Sequence, residues 1–314
     1  MKKTLTAAAL ASLLSTSAMA ETIGVSMALF DDNFLTVLRN GIQELAEGMD
    51  DVEVQIEDAQ NDVARQLDQI NNFVASGVDA IIVNPVDTSA TEAMTAAAEA
   101  AGVPLVYVNR EPINVDTLPD NQAFVASDER ESGTLETIEI CDILAANGTD
   151  PARVYVMMGE LSNQAAVQRT QDIDDVIANG QCAVQIEEID RQTANWSREQ
   201  ATSLMTNWLS SGQQFDAVIA NNDEMAIGAI QAMKAAGISM DDVVVGGIDA
   251  TQDALSAMQA GELDVTVFQN AAGQGSGALD AALKLARGEE VDQKVYIPFE
   301  LVTPANIDDY LAKN

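Results

Sequence analysis

The chain contains no histidine and only two cysteines, Cys141 and Cys182. Without histidine it has no Ser-His-Asp or Cys-His catalytic arrangement, no imidazole metal ligand and no histidine pH switch. Two isolated cysteines fit no zinc spacing, and there is no GxSxG turn and no EF-hand calcium loop. These absences weigh against an enzyme, and they predict neither a metal ion nor a cofactor.

Basic residues are scarce as well. The chain has 15 Lys and Arg against 50 Asp and Glu, a net charge of −35. Removal of Lys2 and Lys3 with a leader would give 13 − 50 = −37. Such a surface repels nucleic acid and anionic membranes, and no basic tract offsets it. The acidity allows two interpretations, adaptation to saline surroundings or ordinary solubility with a cationic partner; the scattering of acids over helix faces favours the second.

Long apolar runs are confined to the N-terminus. Lys2 and Lys3 precede an apolar stretch, and Ser17-Ala18-Met19-Ala20 supply small residues at a cleavage position. This pattern predicts a secretory signal peptide over residues 1–20, cleaved after Ala20, because the apolar stretch is too short to span a bilayer. No cysteine follows Ala20 for lipid attachment. We expect a soluble periplasmic product.

The oxidising periplasm leaves two alternatives for the cysteines. A Cys141–Cys182 disulfide is permitted there, and two buried free thiols are the rival. Because geometry decides between them, the sequence leaves both open.

The pattern that is present is an alternation of short β-branched runs with helical stretches that end at glycine. Such runs are typical of parallel strands covered on both faces. The sequence therefore predicts an α/β fold. Residues 111–122 break the alternation, which then restarts, and the length exceeds one compact core. We expect two similar doubly wound parallel-sheet lobes joined by several ordered crossing strands that act as a hinge.

Hydrogen-bonding side chains follow the strands of this pattern. Since the carboxyl ends of parallel strands gather at one sheet edge, where ligands of open α/β sheets bind, we expect these side chains to converge. Carboxylates, amides and a guanidinium together are suited to a polyhydroxylated small molecule. The exits carry Asp31 and Asp32, Asn109 and Arg110, Asn222, Asp249, and Gln269.

Each candidate has a structural alternative. Asp223 and Glu224 are explained by helix capping, but the preceding Asn222 is not, so we assign it to a ligand. Arg110 has the planar fork that bridges adjacent hydroxyl oxygens. Arg169 lies within a helical stretch, where a surface salt bridge is an equal alternative.

Two aromatic residues lie near strand exits in different halves of the chain, Phe34 and Trp196. Residues at such positions are usually core or staple residues, but a pair of them could cover the apolar faces of a sugar-like ring. Trp208 is interpreted as core. Gly273, Gly275 and Gly277 lack the spacing of a nucleotide-binding loop and predict close helix packing instead.

At these residues the sequence resembles the periplasmic sugar-binding proteins of ABC importers, the ribose-binding-like type I group. ANNDEMAIGAI and VVVGGIDATQDA are the most specific stretches, and the resemblance covers about residues 22–311. It implies a two-lobed clamp, and on this basis we predict an N-terminal lobe of residues 21–126 plus 270–299 and a C-terminal lobe of residues 127–269 plus 300–314. The ligand set that it implies is Asp31, Asp32, Phe34, with Leu35 as an addition, Asn109, Arg110, Arg169, Trp196, Asn222, Asp249 and Gln269.

The sequence departs from the ribose-type pattern at two positions. Asn109 stands where Asp precedes the arginine in ribose-type pockets, and Asp32 stands where they have Asn. The carboxylate, which can only accept hydrogen bonds, thus lies on the other side of the pocket from its place in ribose-type proteins. This indicates a ligand whose hydroxyl groups are arranged differently from those of ribose. The stretches ALFDDNFLTVLRNGIQ, VNREPINVDTLP and YIPFELVTPANI resemble the branch that binds myo-inositol and related cyclitols, including rhizopines.

The expected function is capture of a cyclic polyol, with delivery to a membrane permease on lobe closure. Alternatives are an aldose-binding protein, a module that signals to a chemoreceptor, and a secreted glycoside-active enzyme using carboxylates such as Asp32 and Asp249. We expect a monomer that binds no nucleic acid. A LacI-like regulator would need an N-terminal DNA-binding segment where this chain has a leader.

Overall fold

The computed structural model describes residues 20–313. The predicted signal peptide falls almost entirely on residues 1–19, which lie outside the described residues. Within the described part, no helix combines the length and apolar character needed to cross a membrane.

Strands and helices alternate along most of the chain, as expected. The strands are β1 Glu21–Met27, β2 Val52–Asp58, β3 Ala80–Val83, β4 Leu105–Val108, β5 Gln122–Ala126, β6 Ala152–Met158, β7 Ile186–Thr193, β8 Ala217–Ala220, β9 Val244–Gly246, β10 Thr266–Phe268, β11 Lys294–Tyr296 and β12 Glu300–Val302. The helices are α1 Asn33–Glu47, α2 Val63–Ser76, α3 Thr91–Ala101, α4 Glu129–Ala146, α5 Gln164–Ala178, α6 Arg198–Ser210, α7 Asp223–Ala235, α8 Gln252–Gln259 and α9 Ala271–Ala286.

Two parallel sheets form the two lobes. The N-terminal sheet has the order β11-β5-β4-β3-β1-β2, with Ile23 opposite both Val54 and Ala80. The C-terminal sheet has the order β7-β6-β8-β9, and isolated parallel bridges extend it toward β10.

Both sheets have helices on their two faces. In β3, Ile82 packs with α1 and α9 and Ile81 packs with α2 and α3. In β6, Tyr155 packs with α6 and α7 and Val154 packs with α4 and α5. The predicted α/β fold with two parallel-sheet lobes is confirmed.

The apolar stretch VYIPFELV predicts one final strand, and this prediction is wrong. The stretch divides into β11 in the N-terminal sheet and β12, which pairs antiparallel with β10. Pro298 lies between them and has no N–H to continue a ladder. β12 enters the C-terminal lobe directly from the N-terminal one, without a crossover helix, so it runs opposite to β10.

The chain passes between the lobes after β5, after β10 and between β11 and β12. The first two crossings are tied together by Gln274, whose Nε2 donates to Ser127 Oγ over 2.9 Å. The lobes are therefore joined by three adjacent segments and no flexible linker. Such a connection permits hinge motion and restrains twisting.

The glycines of the GxGxG stretch lie in α9, which packs closely on α1. A Cβ at Gly275 would lie 2.1 Å from the carbonyl oxygen of Leu38, and one at Gly41 would lie 2.7 Å from that of Ala272. The predicted close helix packing is confirmed. Trp208 is also core, stacked on Tyr155 with ring centroids 4.3 Å apart.

The two cysteines are joined in the structure. Cys141 in α4 pairs with Cys182 in the segment before β7, with Cα atoms 5.2 Å apart. Of the two alternatives left open by the sequence, the structure has the disulfide, which ties α4 to the edge of the C-terminal sheet.

Candidate functional site

A cavity lies between the lobes, at the carboxyl ends of both sheets. Nine of the ten residues predicted from the sequence line it. The lining comprises Asp32, Phe34, Leu35, Asn109 and Arg110 from the N-terminal lobe, Glu129, Asn163, Ala165, Arg169, Trp196, Asn222 and Asp249 from the C-terminal lobe, and Gln269 at the hinge.

Asp31 is the predicted residue that does not line this cavity. It is exposed on the wall of an outer cleft, which also contains Asn61, Glu160 and Glu224. The reason is local: Asp32 has extended backbone angles, φ −143° and ψ 129°, and successive side chains of an extended segment point in opposite directions. Asp32 turns inward, so Asp31 turns outward, and we correct the assignment accordingly.

Asp32 both caps α1 and faces the cavity. Its Oδ1 accepts a hydrogen bond from the backbone N–H of Leu35 over 2.7 Å, which fixes the carboxylate at the helix N-terminus. Burial raises the pKa of Asp32, and the Leu35 hydrogen bond and the charge of Arg110 oppose that shift. A buried carboxylate held in this way is a fixed acceptor for ligand hydroxyls.

Arg110 is buried at 5% exposure and is held through one of its nitrogen atoms. Nη1 donates to the carbonyl oxygens of Pro85 and Val86, over 3.0 and 3.3 Å, and lies 3.9 Å from Glu160 of the other lobe. Within residues 20–313, Nε and Nη2 make no hydrogen bond. Burial lowers the pKa of Arg110, with Glu160 and Asp32 acting in the opposite direction. The guanidinium is thus held in position while the N–H groups of Nε and Nη2 are available to a ligand.

Asn109 is oriented by a chain of amides. Its Nδ2 donates to Gln274 Oε1 over 3.1 Å, and its Oδ1 accepts from Asn84 Nδ2 over 3.4 Å. Its backbone φ of 66° lies in the left-handed region, and Trp196 and Asp249 share this property with φ values of 62° and 126°. Strain of this kind concentrates at binding sites, where the surrounding structure holds it in place.

Arg169, the counterpart of Arg110, is buried and paired on nearly every side. Its Nε and Nη2 donate to the two carboxylate oxygens of Glu129 over 2.7 and 3.0 Å. Nη1 donates to the carbonyl oxygen of Asn221, and Nη2 also reaches Gln269 Oε1 over 3.3 Å. Burial alone would lower the pKa of Arg169, but Glu129 raises it overall. The surface salt bridge considered from the sequence is therefore not what forms.

Asn222 is the N-cap of α7, accepting from the N–H of Met225 over 3.1 Å. The sequence assigned capping to Asp223 instead, and that assignment was wrong. Asp223 is buried behind the site, where it accepts hydrogen bonds from the hydroxyl of Thr266 and the N–H of Thr251. Because the cap uses only the oxygen of Asn222, its amide nitrogen remains available to a ligand.

Asp249 lies 3.9 Å from Arg169 Nη1 on the cavity wall. Burial raises the pKa of Asp249 well above its usual value, Arg169 opposes the shift, and Asp223 adds to it. Thr251, the other candidate considered from the sequence, caps α8. Asp249 is therefore not the N-cap of that helix.

The two aromatic residues enter the cavity from opposite lobes. Phe34 is buried at the start of α1. The Trp196 ring lies against the backbone of Gly159, where an added Cβ would come within 2.2 Å of it, and the Arg169 guanidinium carbon is 5.6 Å from the ring centroid. A ligand ring in the cavity therefore has an aromatic residue contributed by each lobe.

Three residues of the lining were not predicted, the polar Glu129 and Asn163 and the apolar Ala165. Both polar residues follow strands, Glu129 after β5 and Asn163 after β6, so the strand-exit rule would have found them. Glu129 was overlooked because Asp128-Glu129 also matches a helix cap followed by an acidic first turn, and Asp128 does cap α4. The capping role of Asp128 concealed the place of its neighbour in the cavity lining.

The lobes touch around the cavity, so the structure has the closed arrangement. Asn33 Nδ2 donates to Glu224 Oε1 over 2.7 Å, and Asn61 Nδ2 donates to Glu160 Oε1 over 3.0 Å. On another side, Thr88 N–H donates to the carbonyl oxygen of Ser162 over 3.0 Å. A ligand in the cavity would be enclosed by both lobes.

The chemistry of the lining is that of recognition. Among residues 20–313, no group of three acidic or cysteine side chains is arranged to hold a metal ion. The lining offers fixed acceptors, fixed donors and aromatic faces, which together suit a small molecule dense in hydroxyl groups. Two hinged lobes that close over such a cavity define a solute-binding protein.

Comparison with known proteins agrees with this class. The family of periplasmic binding protein domains matches residues 23–290, and the chain belongs to it. The protein is a sugar-binding component of an ABC transporter. A relative from Rhizobium meliloti named "Putative rhizopine-binding protein" is 64% identical over 314 residues, the whole of both chains.

Solved structures extend the comparison. An ABC transporter solute-binding protein from Bacillus halodurans with bound myo-inositol is 40% identical, with a TM-score of 0.87 over 96% of this chain and 100% of that one. The myo-inositol binding protein of Caulobacter, bound to myo-inositol, is 28% identical, with a TM-score of 0.80 over 92% and 95% of the chains.

Proposed function

We propose that this protein binds myo-inositol or a related cyclitol between its lobes and delivers it to the membrane permease of an ABC importer. The observation that carries the proposal is the set of fixed hydrogen-bonding groups around one interlobe cavity. Three carboxylates, two guanidinium groups and several amides line it, with an aromatic residue from each lobe.

A ring of hydroxyl groups matches this lining. Each hydroxyl both donates and accepts, so it can bridge a carboxylate such as Asp32 and a donor such as Arg110. A buried donor or acceptor left without its partner costs ~1–3 kcal/mol, so each missing or inverted hydroxyl weakens binding strongly. The lining therefore selects by stereochemistry.

The preference for a cyclitol rests on Asp32 and Asn109, where the chain departs from the ribose-type pattern. The network through Asn84 and Gln274 orients the Asn109 amide, and the α1 N-terminus orients Asp32. Two relatives of this fold hold myo-inositol, and their similarity supports the same ligand here. An aldose is the alternative ligand class for the same clamp.

Ligand binding and lobe closure are linked in this proposal. The moving bodies are residues 21–126 with 270–299 and residues 127–269 with 300–314. A ligand that contacts both stabilises the closed form by its differential contacts, and the permease recognises the closed surface. We further propose a periplasmic monomer, released by cleavage after Ala20, that can also report occupancy to a chemoreceptor.

A thermal-shift screen tests the ligand assignment. The mature protein is melted with myo-inositol, scyllo-inositol, ribose, xylose, galactose, glucose and arabinose, and a ligand of the folded state raises the melting temperature as RT ln(1 + [L]/Kd). We expect large shifts with inositols alone. A shift with an aldose alone would overturn the cyclitol assignment, and turnover of any of these sugars would overturn the binding-protein assignment.

A further inference from the structure

Glu129 is a carboxylate of the cavity lining to which the binding scheme above gives no individual role. It lies in the first turn of α4, is 5% exposed, and faces the cavity beside Arg169. Both of its oxygens accept from Arg169, Oε2 also accepts from the Ser132 hydroxyl over 3.0 Å, and Oε1 lies 3.4 Å from Gln269 Nε2.

This pairing changes what Arg169 can offer a ligand. Nε and one N–H of Nη2 are directed at Glu129, another N–H of Nη2 at Gln269, and one of Nη1 at the Asn221 carbonyl. The guanidinium edge that would otherwise bind a carboxylate of the ligand in a bidentate way is already occupied by Glu129. Arg169 therefore contributes little free positive charge to the cavity.

The charges of the lining lead to the same conclusion. Its acids are Asp32, Glu129 and Asp249, and its bases are Arg110 and Arg169, which gives 2 − 3 = −1 with all groups ionised. Without the Glu129 charge the sum is zero, and a buried guanidinium fork is left without its carboxylate. Such a fork is a strong site for a carboxylate or phosphate group.

We infer that Glu129 sets the charge selectivity of the cavity: by occupying Arg169 it excludes sugar acids and restricts the site to uncharged or cationic polyols. Acidic sugars share the ring and adjacent hydroxyls of neutral ones, so hydroxyl contacts alone discriminate poorly against them. A carboxylate already seated on Arg169 rejects a second one by occupancy and by repulsion.

The test is Glu129→Gln, which keeps the shape and removes the charge. Binding of D-glucuronate and of myo-inositol is measured by calorimetry at 25 °C. We expect no detectable glucuronate binding to the unmodified protein and at least a tenfold gain in the variant. Glu131→Gln, an exposed glutamate in the same turn, is the matched control and should gain nothing.

A swap separates charge from side-chain identity. In the double variant Glu129→Gln with Gln269→Glu, the carboxylate moves to the other residue that contacts Arg169 Nη2. Glucuronate binding should then disappear again. If the swap bound glucuronate as well as Glu129→Gln does, or if Glu129→Gln gained none, the inference would be overturned.

The Arg169 guanidinium without its carboxylate destabilises the fold, so the Glu129→Gln variant can be unfolded in the absence of a ligand. In that case glucuronate supplies the missing charge, so it should restore the folded circular dichroism spectrum while glucose at the same concentration does not. If glucuronate and glucose had the same effect on the spectrum, the inference would likewise be overturned. The myo-inositol measurement rests on the proposed function, whereas the gain of glucuronate binding does not. Failure of the proposed function is therefore distinguishable from failure of the present inference.

Discussion

The two lobes bury different kinds of polar groups behind the same cavity. The N-terminal lobe buries a neutral network in which hydroxyls and amides satisfy one another. Its members are the buried Ser26, Gln66, Gln69, Asn84, Ser127 and Gln274 and the half-buried Asn109. The C-terminal lobe buries a charged network around one arginine. Its members are Glu129, Glu136, Arg169, Asp172, Asp223 and Asp249.

The difference assigns different tasks to the two cavity arginines. Arg110 is anchored by backbone carbonyls, with Glu160 only at 3.9 Å, which leaves most of its donors available to a ligand. Arg169 is anchored by a carboxylate, which fixes its position and quenches its charge. We therefore expect Arg110 to matter mainly for binding and Arg169 mainly for the integrity of its lobe.

The largest expected effect is from Arg169→Ala. Removing one partner of a buried pair leaves the Glu129 charge uncompensated, which typically costs about 3–5 kcal/mol of unfolding free energy. Denaturant unfolding of the ligand-free protein measures it. Replacing both partners, Arg169→Met with Glu129→Leu, should recover most of the loss, because neither member of the pair is then left buried without the other. A single variant as stable as the unmodified protein would contradict the proposed task of Arg169.

Arg110→Ala is the matched experiment in the other lobe, and its effect falls on binding. Charge-assisted hydrogen bonds contribute roughly 1.5–3 kcal/mol each, so the loss of two corresponds to far more than a tenfold rise in Kd for myo-inositol. Calorimetry measures the Kd, and unfolding should show a smaller loss of stability than in Arg169→Ala. Near-native affinity would remove Arg110 from the site.

The third prediction concerns pH and belongs to the C-terminal lobe. Burial raises the pKa of Asp172 to about 6, from an ordinary value of 3.8, and the nearby Glu129 adds to the shift. Between these values the folded state binds more protons than the unfolded one, so this group makes stability fall as pH rises from about 4 to about 6. Asp172→Asn should remove the contribution of this group to the fall, so the stability of the variant relative to the unmodified protein should increase toward pH 7.

Melting temperatures measured from pH 4 to pH 8 check this. Asp175→Asn, an exposed acid on the same helix, is the control and should leave the slope unchanged. Other buried acids, including Asp223 and Asp249, keep part of the slope, because burial raises the pKa of each of them as well. Parallel curves for Asp172→Asn and the unmodified protein would contradict the prediction.

The same difference between the lobes explains what the sequence could predict. Strand and helix order follows from local periodicity and glycine stops, so the fold and the convergence of strand exits were predictable. Asp32, Asn109 and Arg110 of the N-terminal lobe follow strand exits directly and line the cavity as expected. Their positions depend on topology, which the alternation of elements reveals.

The charged network was not predictable in the same way. Whether Arg169 is exposed or buried depends on the packing of α4 against α5, where a Cβ at Gly133 would lie 2.4 Å from the Arg169 carbonyl oxygen. Its partner Glu129 lies 40 positions away, and no local pattern links the two. The antiparallel pairing of β12 likewise depends on how the third crossing enters the lobe.

The smallest effect is expected where the two lobes meet, at Asn33. There the neutral lobe supplies amide donors and the charged lobe supplies carboxylate acceptors: Asn33 donates to Glu224, which Arg198 holds through two hydrogen bonds of 2.8 Å. The contact exists only when the lobes are together, and an exposed hydrogen bond contributes about 0.5–1.5 kcal/mol. Asn33→Ala should therefore raise the Kd for myo-inositol several-fold, with an unchanged unfolding midpoint for the ligand-free protein. Asn40→Ala, on the same helix and exposed, is the control. Equal losses in both variants, or a loss of stability without ligand, would show that the Asn33 contact stabilises the lobe and not closure.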